Sequence, residues 1–382
     1  MMIAYRHTVF KHSAKKIVAL FFLPVILYII VRNCENRRKR GKSMSEKKNP
    51  SISEIARICG VSKATVSRVI NNLPQGVGPE TREKVLRTIR ELNYRPNALA
   101  RSVATSKSGT VGLIIPDVSN FFFPTIIRGV TDYMDSCGYS VIVANSDYDP
   151  DREAQQLLRL VDRRVDGILL CSGVSNKDFL AQFREHNIPL ALLGRNFDNS
   201  CSDASIIGDN VKGAYKSTSH LMKNGSRRVV YVEGNPNTAG SRQRLRGYKQ
   251  AHTEFGVPVR EDFIISGEYS ITFGQETARK LLERGLEFDG IITGSDLIAI
   301  GIVSQLMKSG VRVPEDVEII GFDNIDLTTV ITPSLSTISK PHYEMAQHIS
   351  EQLIRIIQGE TIPLPHTVVE PELILRETTR NK

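Results

Sequence analysis

Residues 51–71 read SISEIARICGVSKATVSRVIN, and the apolar spacing divides them into two short helices joined by a tight turn. In the first helix Ile52, Ile55, Ala56 and Cys59 recur at helical intervals and make one apolar face. Gly60 ends it, because glycine enters a left-handed C-terminal cap without steric cost. Val61 plugs the space between the helices, and Ser62 is placed to cap the second by accepting from a backbone N–H. Over residues 63–70, Val66, Val69 and Ile70 turn inward, leaving Lys63, Ala64, Ser67 and Arg68 as a small, polar, basic outer face. That is the layout of a helix-turn-helix, whose second helix offers its N-terminal residues to base edges in the DNA major groove.

The downstream sequence extends the motif. Pro79, Glu80 and Thr81 open a third helix, with proline in the first turn and Thr81 placed to cap it or touch a phosphate. Val85, Leu86, Ile89 and Leu92 share one face of it. Residues 93–97 (NYRPN) break the pattern, residues 98–104 (ALARSVA) make a short helix, and 105–109 (TSKSG) are a polar linker.

Charge is unevenly spread along the 382 residues. Residues 1–43 hold ten Lys/Arg and one Asp/Glu, residues 44–105 eleven and five, and the remainder 29 and 35. A basic headpiece suits a polyanion, and a mildly acidic core does not. The five cysteines show no metal spacing; Cys59, Cys137 and Cys171 sit in apolar patterns and read as reduced, buried thiols of a cytoplasmic protein. The fifteen residues 17–31 form an apolar run flanked by Lys15, Lys16 and Arg32. It is short of the ~20 residues of a spanning helix; it matches a signal-peptide core in length without a small-residue cleavage site, and a signal peptide would export a DNA-binding domain away from DNA. Residues 38–42 (RKRGK) can be written wholly in purine codons just ahead of Met44. Residues 1–43 are therefore read as an upstream start artefact, with a membrane anchor or a basic tail as the alternatives and a membrane partner not expected.

From residue 110 onward, apolar runs at 110–115, 140–144, 166–171, 189–193, 228–232, 289–292 and 317–321 alternate with amphipathic segments. The amphipathic segments lie at 124–137, 151–163, 176–187, 210–224, 239–255, 273–284, 296–309 and 341–358. This alternation predicts parallel sheets covered on both faces by helices. The series is long for one sheet and restarts after Asp209, so two Rossmann-like lobes are expected, with a ligand cleft beyond the strand carboxyl ends. No phosphate loop, HExxH, GxSxG or CxxC occurs, so no enzyme, metal or cofactor is indicated. Strand ends instead supply Asn120 and Phe122, Arg195, Arg244, Ser295 and Asp323, a mixture of donors, acceptors and aromatic faces that suits a polyhydroxylated ligand. The plain alternatives are a turn role for Asp323, a surface ion pair for Arg244, core packing for Phe121 and Phe122, and for Asp296 a helix N-cap.

GVSKATVSRVIN, TREKV and ELNYRPNALARSVA together resemble the headpiece and hinge helix of the LacI/GalR family of bacterial transcriptional regulators. The residues 110–116 (TVGLIIP), 244–248 (RLRGY), 313–317 (VPEDV) and 320–323 (IGFD) resemble the family's first core strand, effector-site helix and late signature. The resemblance spans about residues 48–378. It implies an all-α helix-turn-helix headpiece over 48–105, and over 110–378 an α/β core of two lobes like periplasmic binding proteins. It also implies three chain crossings, placed near 208, 328 and 361. A homodimer would bind a palindromic double-stranded DNA operator and repress carbohydrate-utilisation genes under control of a small sugar-like effector. Lys63, Ala64 and Arg68 are the base readers, with Arg68 able to contact guanine O6 and N7 bidentately; Thr65, Asn71, Thr81 and Asn97 are phosphate contacts. By register Val103 is the minor-groove wedge of the hinge helix, with Leu99 the alternative. The loop Asn120-Phe121-Phe122-Phe123-Pro124 departs from the family's Asn-Pro-Phe-Phe, which puts the carry-over of contacts there in doubt. A sugar-binding transport protein would share the two-lobed core, and the headpiece speaks against it.

Overall fold

The computed structural model describes residues 50–70, 76–94, 107–171, 177–194 and 201–380. The expectations for residues 1–43, Asn71, Asn97, Leu99, Val103 and Arg195 lie outside the described residues. The chain divides into two compact units, one ending at Asn97 and one beginning at Ala98.

The first unit holds α1 (Ile52–Cys59), α2 (Lys63–Ile70) and α3 (Pro79–Glu91). The Ser51 side chain accepts from the Glu54 N–H at the start of α1, and Gly60 closes it at φ 70°, the left-handed cap expected from sequence. Ser62 Oγ accepts from the Thr65 N–H at 3.0 Å. The core is Ile55, Ala56 and Cys59 of α1, Val66 and Val69 of α2 and Val85 of α3. Two details differ from the sequence reading. Gly78, not Thr81, is the N-cap of α3. Leu86 is exposed, and Thr88 takes the inward position because its hydroxyl is partnered, accepting from the Cys59 thiol at 3.3 Å and donating to the Lys84 carbonyl at 3.0 Å.

The second unit contains two six-stranded sheets. Its first lobe begins with β1 (Thr110–Ile115), α4 (Phe123–Ser136), β2 (Ser140–Asn145) and α5 (Pro150–Asp162). It continues with β3 (Gly167–Cys171), α6 (Lys177–Phe183), β4 (Leu190–Leu193) and β5 (Ala204–Gly208). The second lobe holds α7 (Asn210–Lys223), β6 (Val229–Val232), α8 (Ala239–Glu254), β7 (Ile264–Ile265) and α9 (Ile271–Glu283). It then runs through β8 (Gly290–Thr293), α10 (Asp296–Lys308), β9 (Glu318–Phe322), α11 (Leu327–Val330) and β10 (Ser336–Ser339). The series closes with α12 (His342–Ile357), β11 (His366–Val369) and β12 (Glu372–Ile374).

The sheets run β11-β5-β4-β3-β1-β2 and β12-β10-β9-β8-β6-β7, parallel except for β12 against β10. In each, the order reverses beside the lobe's first strand, β1 or β6, which opens a ligand crevice at that strand's carboxyl end. The central strands β1, β3, β4, β6, β8 and β9 are buried almost throughout, as strands covered on both faces by helices must be.

The chain crosses between lobes three times. The first crossing, after Gly208, matches the expectation. The second lies at residues 340–341 rather than near 328, because β10 first returns to pair with β9 in the second lobe. The third lies at residues 370–371 rather than near 361, because β11 must first pair with β5 in the first. Cys137 is exposed at the end of α4, not buried, whereas Cys59 and Cys171 are buried. Among the described residues no helix is long and apolar enough to cross a membrane.

Candidate functional site

The cleft between the two lobes is built from segments that leave the carboxyl ends of strands. Its empty space is about 740 Å³, open solvent at the mouth included. Asn120 and Phe122 reach it from the turn after β1, Arg244 from the second turn of α8, Ser295 from just beyond β8, and Asp323 from the end of β9. Five of the six expected effector residues therefore line one cavity; the sixth, Arg195, lies outside the described residues.

The plain alternatives resolve individually. Asn120 is buried and holds its own loop, its Oδ1 accepting from the Phe122 N–H at 3.0 Å. Phe122 packs edge-on to Phe123 at 4.9 Å and to the His342 ring at 4.7 Å, whereas Phe121 points into solvent. Asp117 serves the turn, accepting from the Ser119 N–H and hydroxyl. Ser295, not Asp296, is the N-cap of α10, its Oγ accepting from the Ile298 N–H.

Asp296 has a different task. It is fully buried and accepts from the Thr337 hydroxyl at 2.5 Å and the Ile325 N–H at 2.9 Å. Burial first, and the neighbouring Asp323 second, hold its carboxyl well above the usual range. Gly321 makes room for it, since a Cβ there would stand 2.1 Å from Asp296 Oδ1. The loop that Asp296 anchors presents Asp323 with φ 106°, a backbone that side-chain-bearing residues seldom adopt. The Asp323 N–H donates to the Ile338 carbonyl at 2.8 Å, and Arg376 Nη2 donates to Asn324 Oδ1 at 2.7 Å, so neighbours on three sides fix that turn.

Arg244 is buried, with its Cζ 4.5 Å from the Phe322 ring centroid. Its Nε has no hydrogen-bond partner within the protein. Lining residues that escaped the sequence reading include two basic side chains and two tyrosines. Lys340 and His342 come from the second crossing, and Tyr148 and Tyr269 from the loops after β2 and β7. The two tyrosine rings, one from each lobe, lie 5.5 Å apart. Burial, opposed by Asp323, draws the Lys340 ammonium down to about 8; burial and then the Lys340 charge push the His342 imidazole down to about 4. Both groups follow β10, whose sequence STIS has no apolar run to announce a strand end.

In the headpiece unit, Lys63, Ala64 and Arg68 are exposed and Thr65 and Thr81 half-buried. The Arg68 guanidinium rests over Gly76, where a Cβ would come within 2.9 Å of Nη1.

Two family models match the chain: "Bacterial regulatory proteins, lacI family" over residues 51–97, and "Periplasmic binding proteins and sugar binding domain of LacI family" over residues 108–374. Among curated proteins the chain is similar to the catabolite control protein A of Priestia megaterium, 36% identical across 84% of this chain and 98% of that one. Among solved structures it resembles the complex of the transcriptional regulator CelR with cellobiose, at TM-score 0.65 and 29% identity over 86% of this chain and 99% of the other. It also resembles a lac repressor dimer, at TM-score 0.79 and 24% identity over 87% and 100%; this last likeness concerns the fold alone.

Proposed function

The chain belongs to the LacI family of bacterial regulatory proteins, and from that premise we propose that it is a sequence-specific DNA-binding transcriptional repressor of carbohydrate-utilisation genes. A small sugar-like effector held between the core lobes controls it. The observation that carries this reading is the presence in one chain of a helix-turn-helix with an outward Lys63–Ala64–Arg68 face and a cleft lined by Asn120, Phe122, Arg244 and Asp323.

Each part has a physical role. The exposed face of α2 reads base edges, with Lys63, Ala64 and Arg68 specifying, and Thr65 and Thr81 positioning on phosphates. Asn71, Asn97, Leu99 and Val103 belong to the same proposed DNA surface. Arg244 and Asp323 supply complementary donors and acceptors to ligand hydroxyls, and Phe122 packs on their C–H face. Effector binding shifts the two lobes, and that shift alters the headpieces of a homodimer in the cytoplasm, a coupling typically of about 1–3 kcal/mol. The exposed apolar side chains Val118, Phe121 and Val143 of the first lobe suit the surface that the second copy covers.

The test combines DNA and ligand binding. Selection from random duplexes should return a palindrome, bound with an affinity that falls steeply with salt. Arg244→Ala and Asp323→Ala should keep operator affinity and lose the response to the effector. Loss of operator binding with intact ligand binding would reverse the assignment of the two sites.

A further inference from the structure

The cleft carries more positive charge than its own groups neutralise. Arg244 and Lys340 are both buried in it, and each lies within 4.6 Å of the Phe322 ring centroid. The two cations thus stand no more than about 9 Å apart across one aromatic side chain. Among the described lining residues Asp323 is the one carboxylate. It approaches Lys340 Nζ at 3.5 Å, and Asn210 Oδ1 does so at 3.4 Å. Both separations exceed the ~2.7–2.9 Å of a charge-assisted hydrogen bond. His342 faces the same space, but at neutral pH its imidazole, held at about 4, is uncharged. Buried Asp296 is committed to Thr337 and Ile325, and its raised pKa weakens it as a counter-charge.

Lys340 is also built into place. Its stem crosses Gly208, where a Cβ would lie 2.2 Å from Lys340 Cδ. A residue with any side chain at 208 would displace it, and the missing side chain seats the ammonium in the cleft. A buried ammonium with loose partners is costly unless an anion joins it. The unpartnered Nε of Arg244 adds a second donor seeking an acceptor.

We propose that the effector is an anionic sugar, bearing a carboxylate or a phosphate, and that Lys340 is the residue that selects for its charge. This rests on the cleft being the effector site. The hydroxyls engage Asp323 and Asn120, and the anionic group sits between Lys340 and Arg244. Asp323 then serves two purposes, accepting from the ligand and holding Lys340 in the unliganded cleft.

The experiment measures ligand affinity and thermal stability of the full chain with glucose and ribose, and with gluconate, glucose 6-phosphate and ribose 5-phosphate. Inorganic phosphate controls for charge alone. An anionic sugar should bind at least about tenfold more tightly than its neutral parent, a difference of about 1.4 kcal/mol. Whether gluconate or the phosphates bind more tightly distinguishes carboxylate from phosphate. Lys340→Met should abolish that preference, bringing the ratio of anionic to neutral affinity close to one, and Lys340→Arg should retain it. Should Lys340→Met fail to fold, the arginine variant and the wild-type preference decide. Neutral sugars binding as tightly as their anionic counterparts would overturn the charge selection and leave the effector cleft standing. If no member of the panel, charged or neutral, shifts melting, the sugar-effector reading falls and this inference with it.

Discussion

Arg68 and Asp323 show what single residues do here and how far each was legible. Arg68 lies at the outward spacing of α2 and is exposed, as the helical period requires. Arg68→Ala is expected to cost about 1–3 kcal/mol on the best operator and to relax preference at one base pair per half-site. Competition gel shifts against single-base operator variants measure this. An equal loss on random DNA would make Arg68 a phosphate contact instead. Asp323 was legible because it closes the motif IGFD at a strand end, and Arg244 because it opens the motif RLRGY. Asp296 was misplaced by one residue, because Ser and Asp are both good caps and only the fold shows which is free to cap. Lys340, His342, Tyr148 and Tyr269 were illegible. Lys340, His342 and Tyr269 follow strands that no run of apolar residues announces, whereas Tyr148 follows β2, whose run is legible, but lies three residues past its end.

At the scale of elements, legibility followed burial. The strands found from sequence, apart from the exposed edge strand β2, lie between helices on both faces, so their residues are continuously apolar. The missed strands are β5, β7, β10, β11 and β12. β10 is buried yet polar: Thr337 donates to Asp296, and the Ser336 hydroxyl pairs with Thr379 at 2.7 Å. Satisfied hydroxyls can sit in a sheet interior, and they hide it from a hydropathy reading. The misplaced crossings at 340 and 370 follow directly from those missed strands. The helix-turn-helix was read nearly whole because its turn depends on one glycine. Gly60→Ala puts a Cβ into a left-handed cap with φ 70°, at a cost of about 1–2 kcal/mol. The α1–α2–α3 unit should melt earlier in that variant, seen as weaker operator binding, with effector affinity unchanged. Reduced effector affinity would mean that the two units depend on each other for folding.

For the whole molecule, the cleft ties ligand chemistry to acid stability. His342 is held at about 4 when folded against 6.5 ordinarily, so between pH 6.5 and 4 the unfolded chain binds more protons than the native one. The His342 contribution to stability therefore falls as pH drops through that window. His342→Gln should flatten the fall by up to about 3 kcal/mol at pH 4, from urea melts across the range. A slope equal to wild type would show that the imidazole is free to take up its proton in the folded cleft. Some slope should persist in the variant, because burial lowers His220 and His252 as well. The tyrosines at the cleft have a consequence of another kind. The chain contains no tryptophan, so its near-ultraviolet absorption and emission come chiefly from eleven tyrosines. Tyr148 and Tyr269 belong to different lobes, with ring centroids 5.5 Å apart and planes inclined by 33°. Rings that close exchange excitation, and a hinge motion alters their separation and tilt. The protein thus carries an intrinsic optical gauge of its own cleft, readable without any attached dye.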